Sequence, residues 1–149
     1  MVAPGIPASE RSYFGWRTIR NSDGVLARHP KLSLVSVEGG AGWAAFTVPW
    51  MDNVRRRHRY WKNPPLIEEP STYFKRQTKL TFIEDPAGVC ERHTIGLDCL
   101  MWSSDFPHSD PTWPHSQEVI AEHLAGVPQA ETALIVGGNA ARLYGLKRR

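Results

Sequence analysis

The feature that most constrains this chain is a short apolar run that ends abruptly in polar chemistry. Cys99-Leu100-Met101-Trp102 has the length of a strand buried on both faces, and Ser103-Ser104-Asp105-Phe106-Pro107-His108 follows at once. Pro107 cannot continue a ladder, so the strand is expected over residues 99–103 and to end near Asp105. An acid at the carboxyl end of a buried strand stands where parallel α/β proteins place their chemistry. The same acid could equally be a turn or capping aspartate.

Two further runs repeat the arrangement. Leu32-Ser33-Leu34-Val35-Ser36-Val37 leads into Glu38-Gly39-Gly40-Ala41-Gly42, and Leu80-Thr81-Phe82-Ile83 leads into Glu84-Asp85-Pro86. Helical sequence separates the three runs, which is the βαβ pattern of a parallel sheet. Helices are predicted over residues 43–62 (with Pro49 as a kink or restart), 70–77 (Ser71 as cap) and 87–95 (closed by Gly96). Three more follow, over 117–124 (Ser116 as cap), 128–136 and 140–146, the last two separated by Gly137-Gly138-Asn139. Residues 1–10 read as a tail, and a helix over 10–26 is interrupted by Asn21-Ser22-Asp23-Gly24. His29 precedes Pro30 and reads as a loop residue, and His93 as a surface or packing residue. Glu84 or Asp85 could face the same end of the sheet as Glu38 and Asp105, although capping of the next helix is favoured for one of them.

Charge and cysteine content exclude several classes. Lys and Arg number 18 against 15 Asp and Glu, a formal charge of +3, which does not by itself imply nucleic acid. The dense basic run Arg55-Arg56-Arg57-His58-Arg59, with Trp61 and Lys62, reads as a solvated helix end whose cations complement the helix dipole. Cys90 and Cys99 form no metal-binding spacing, and Cys99 is expected to pack as a small apolar residue in a reduced, cytoplasmic protein. No apolar run approaches the ~20 residues of a membrane span, and the first residues lack the pattern of a signal peptide.

Several motifs together resemble a known family. Met101-Trp102-Ser103-Ser104-Asp105-Phe106-Pro107-His108, then Thr112-Trp113-Pro114, then Gly138-Asn139-Ala140-Ala141-Arg142-Leu143-Tyr144-Gly145-Leu146, resemble the carboxyl-terminal end of the amidohydrolase-related family. Gly24 to Leu32 and Pro70-Ser71-x-Tyr73-Phe74 are similar to family segments that precede its sixth and seventh strands. The resemblance implies metal-dependent hydrolases and decarboxylases on a TIM barrel. A (β/α)8 barrel typically needs about 250 residues. With 149, the chain is therefore read as α/β, a partial (β/α)8 barrel holding about the last three parallel strands with their helices, and residues 1–149 as a carboxyl-terminal portion of that domain.

The resemblance carries the strand-eight role, metal ligand or general base, onto Asp105, with His108 beside it as a second catalytic candidate. Many relatives place a metal-binding histidine where this chain has Glu38. A carboxylate there can hold a divalent metal through oxygen, or simply pair with an arginine. The complete family enzyme is expected to use Zn2+ or Mn2+ and a small-molecule substrate. Its remaining ligands come from strands one and five, and this chain has no His-x-His pair, so Glu38 and Asp105 alone are too few for a tight site. Neither nucleic acid nor membrane is an expected partner; a second copy or an amino-terminal half is. Two alternatives stand beside this reading: a non-catalytic packing remnant, and a small α/β protein binding anions or nucleic acid. A three-strand slice would also bare Val35, Val37, Phe82, Leu100 and Trp102 on its inner face, so the isolated chain is expected to be marginal, self-associating and inactive.

Overall fold

The computed structural model describes residues 24–58, 66–108 and 112–146. The tail over 1–10, the break at Asn21 to Asp23, Arg59, Trp61 and Lys62 lie outside them. Three strands form one sheet in the order β1 (Leu34–Ser36), β2 (Thr78–Phe82), β3 (Leu100–Trp102). Both pairings are parallel, with Ser36 opposite Leu80 and Leu80 opposite Leu100. The expected open, parallel slice of a barrel is therefore present.

The strand limits differ from the expected ones. β2 starts at Thr78 and stops before Ile83, because Thr78 and Lys79 make ladder bonds that their polarity concealed. β3 ends at Trp102, short of Asp105; Ser103 N–H still reaches Phe82 O at 2.9 Å. Cys99 belongs to a 3-10 turn over Leu97–Cys99.

Helix α1 (Val25–Arg28) precedes β1, and His29 follows it as an exposed loop residue. Helix α2 (Trp43–His58) runs through Pro49 as one element, and α3 (Pro70–Gln77) leads straight into β2. Ser71 does not cap α3. The helix starts at Pro70, whose fixed φ suits a first helical position, and Ser71 N–H donates instead to Asp52 Oδ1 at 2.8 Å. The predicted single helix after β2 is two, α4 (Pro86–Cys90) and α5 (Arg92–Ile95), broken at Glu91. Helix α6 (Ser116–His123) includes Ser116 as its first residue; that hydroxyl pairs with Thr112 Oγ1 at 2.8 Å instead of capping. Arg55 of the basic run bonds Leu66 O at 2.6 Å and Glu69 at 3.0 Å, so it closes a loop within the chain. His93 is exposed and lies 3.5 Å from Glu131.

The carboxyl-terminal elements correct a further expectation. Helix α7 (Gln129–Ala133) passes through a π-turn (Leu134–Gly138) into α8 (Asn139–Tyr144), so Gly137 and Gly138 do not separate two helices. A side chain at Gly138 would come within 3.1 Å of Ala133 O, which accounts for a glycine in a continuous helix. The π-turn positions Asn139 against the sheet. Its buried Nδ2 donates to Leu97 O at 2.9 Å and Leu100 O at 2.8 Å, on either side of the entry into β3.

One core lies between the sheet and the helices. Ala44, Val48 and Met51 of α2, Phe74 of α3, Ile95, Ile120 and Ile135 cluster with Leu80, Phe82 and Leu100, and Trp102 packs against them. Register then places Val35, Lys79, Thr81 and Met101 on the opposite face. Phe82, Leu100 and Trp102 are thus not bared on an inner face, as the sequence suggested. They point to the helices, and Val37, just past β1, is the exposed one.

Cys99 is buried among these apolar groups, and burial pushes its thiol up from 9.0 to about 11. Two outcomes follow. At pH 8 a thiol reagent should label exposed Cys90 and spare Cys99 until the chain is unfolded, as mass spectrometry would show. Because the folded thiol keeps its proton where the unfolded one loses it, this group's contribution to stability is full below pH 9.0 and is lost as pH rises towards about 11. The stability gap between wild type and Cys99→Ala should narrow across that window by up to ~1.4 kcal/mol per pH unit in denaturant melts.

Candidate metal centre

Each candidate side chain is delivered by the end of a parallel strand. Glu38 follows β1 and Asp105 follows β3, and both adopt the left-handed region, with φ of 55° and 56°. Such a backbone costs a non-glycine residue on the order of 1–3 kcal/mol and gathers at functional sites. Local bonds hold both turns. Glu38 N–H donates to Thr81 Oγ1 at 2.8 Å, and Asp105 N–H to Ser103 Oγ at 3.3 Å. The backbone of His108 donates to Asp105 O at 2.9 Å, which folds the Asp105–His108 turn back on itself.

These turns bring Glu38, Asp105 and His108 together, with one ligand atom from each within 4.8 Å of the others. His108 Nδ1 lies 3.6 Å from Asp105 Oδ1 and 3.9 Å from Glu38 Oε1. Atoms bound to one tetrahedral ion at ~2.1 Å would sit about 3.4 Å apart, so small side-chain shifts would close the set on a cation. Two carboxylates and one imidazole suit a divalent ion of the Mn2+ or Zn2+ kind and leave coordination positions for water or substrate. Asp105 is the least exposed, at 16% of its side chain, against 48% for Glu38 and 64% for His108.

Glu38 finds His108, and no arginine, among the partners seen in the described residues. Glu84 is exposed and outside the cluster, while Asp85 caps α4 through Gly88 N–H at 2.8 Å. The sequence reading missed Thr81, whose only signal was a hydroxyl on the strand face opposite the core. It also missed the pair Phe106 and Trp113, whose rings meet edge to face at 6.2 Å beside Asp105 and are both exposed.

Comparison with known proteins identifies the family and the fold. The chain is similar to the crystal structure of 5-carboxyvanillate decarboxylase from Sphingomonas paucimobilis, with 26% identity and a TM-score of 0.71 over 88% of this chain and 39% of that one. An amidohydrolase from Mycobacterium avium subsp. paratuberculosis gives 22% identity and a TM-score of 0.68, over 83% and 31% of the two chains. A dihydroxybenzoic acid decarboxylase from Polaromonas, solved with manganese and 2-nitroresorcinol, gives 19% and 0.65, over 99% and 49%. The chain thus spans less than half the length of each of these relatives. A search of curated proteins finds no match. The family model described as amidohydrolase matches residues 14–146. With that match spanning nearly the whole sequence, and with a parallel sheet that ends in the expected acids, the chain belongs to the amidohydrolase family.

Proposed function

We propose that this chain forms the carboxyl-terminal part of the metal site of a metal-dependent enzyme that decarboxylates a small aromatic acid. The observation that carries the reading is the convergence of Glu38, Asp105 and His108 at the carboxyl ends of parallel strands. Glu38 and Asp105 would hold a divalent cation with His108, and the bound cation would polarise a substrate oxygen. The exposed rings of Phe106 and Trp113 would offer an aromatic edge to a planar acid beside that centre. When the carboxylate leaves as CO2, its bonding electrons stay on the ring carbon, which must take up a proton. Asp105 would hold that proton on the carboxylate oxygen that it does not lend to the cation. The decarboxylases among the structural relatives support this choice over hydrolysis.

Family enzymes also draw ligands from earlier strands, so the 149 residues by themselves are expected to bind without turning over. The test is calorimetric titration of a dihydroxybenzoate into the chain with and without Mn2+. Binding that requires Mn2+ and is lost in Asp105→Asn is the expected result. Equal binding without the metal, or in Asp105→Asn, would contradict the proposal. Among the described residues no helix is long and apolar enough to cross a membrane.

A further inference from the structure

Asp85 has more partners than a helix cap requires. Its Oδ1 accepts from Gly88 N–H at 2.8 Å, at the start of its own helix α4. Its Oδ2 accepts from Ala41 N–H at 2.5 Å and Gly42 N–H at 2.7 Å, which belong to the loop between Glu38 and α2. Its backbone N–H donates to His123 Nε2 at 2.7 Å, at the end of α6. One carboxylate thus ties together the segments that follow β1 and β2, and its backbone ties both to α6.

The surrounding glycines form a socket of matching size. A Cβ on Gly40 would stand 3.1 Å from Asp85 Oδ2, one on Gly42 2.9 Å from Oδ1, and one on Gly88 3.0 Å from the carboxyl carbon. Real Cβ contacts are seldom so short, so a side chain at any of these places would force the carboxylate to shift. Ala41, between two of the glycines, is fully buried.

This socket fixes where Glu38 can be. The left-handed turn at Glu38 is held before the loop by Thr81 Oγ1 on its N–H and after it by Asp85 on Ala41 and Gly42. Without the second anchor, the three residues from Gly39 to Ala41 would have only the first to oppose relaxation of that strained φ. Asp85 itself is not among the residues that offer an atom to the cation cluster.

We infer that Asp85, backed by His123, is a positioning residue that locks Glu38 into the metal-binding cluster through the Ala41–Gly42 backbone. The inference rests on the proposed metal site, and its test separates the two. Mn2+ affinity is measured by titration with electron paramagnetic resonance on the whole chain, in wild type, Asp85→Asn, Glu38→Gln and the double variant. In Asp85→Asn one carboxylate oxygen becomes an NH2 that must face a backbone N–H, so one arm of the latch fails.

The expected result is a roughly tenfold loss of affinity for Asp85→Asn in the wild-type background and less than a twofold loss in the Glu38→Gln background. Should Asp85→Asn fail to fold, His123→Ala carries the same cycle. It removes the acceptor of the Asp85 N–H together with a ring contact to Phe82, and a loss of about threefold, again confined to the background with Glu38 intact, is expected. Unchanged affinity in a folded variant, or the same loss in both backgrounds, would overturn the positioning role while leaving the site intact. If Glu38→Gln and Asp105→Asn also leave affinity unchanged, the metal site itself is wrong.

Discussion

Asp105→Asn is expected to lower Mn2+ affinity by about 100-fold while leaving the melting temperature nearly unchanged. Asparagine keeps the shape of the side chain and tolerates the left-handed φ of 56° that this position requires, so the turn should survive. What it removes is the negative charge and one strong oxygen donor from a set of three. Changing a residue that merely orients a metal ligand typically costs 10–100-fold in affinity, and loss of a direct ligand should reach the upper end of that range. Asp105 is also the least exposed of the three, so solvent dilutes its attraction least. Isothermal titration with Mn2+ and a parallel thermal melt check both halves. A large drop in melting temperature would mean that Asp105 is a structural turn residue, the alternative that the sequence left open.

The largest expected loss of stability is at Asn139. Its buried amide donates to the carbonyls of Leu97 and Leu100, which flank the entry into β3. Asn139→Leu keeps the volume but leaves both acceptors without that donor. Each buried polar group so stranded costs about 1–3 kcal/mol. Some of this is offset, because Asn139 Oδ1 is itself buried without a partner and would no longer need one. A net loss of ~2–4 kcal/mol is expected from urea melts. Since β3 carries the turn that ends in Asp105 and His108, weaker Mn2+ binding should accompany it. A change below about 0.5 kcal/mol would show that the clamp is not a stabilising element.

The contrast between these positions shows what a sequence exposes. The three strands were legible because each is an apolar run between helical segments. Which way their side chains point was not, since strands of a parallel sheet are apolar on both faces and lose the alternation that would orient them. That is why Phe82, Leu100 and Trp102 were assigned to the wrong face. The Gly137-Gly138 pair suggested a break because glycine usually marks one. Here the pair closes a π-turn whose following residue is anchored to β3, a tertiary reason absent from the local pattern. Glu38 and Asp105 were visible because a charged residue ending a buried strand is conspicuous, and the family resemblance added His108. Asp85 looked like a cap and is one, but its partners Ala41 and Gly42 lie 44 and 43 residues away, and no spacing rule reaches that far.

The most direct test of the account is electron spin-echo spectroscopy of Mn2+ bound to the chain, comparing wild type with His108→Gln. The cluster places one imidazole nitrogen beside two carboxylates, so the wild-type spectrum should carry a single directly bound nitrogen, and His108→Gln should lose it. A wild-type spectrum without bound nitrogen, or one that His108→Gln leaves unchanged, would contradict the claim that Glu38, Asp105 and His108 hold the metal together.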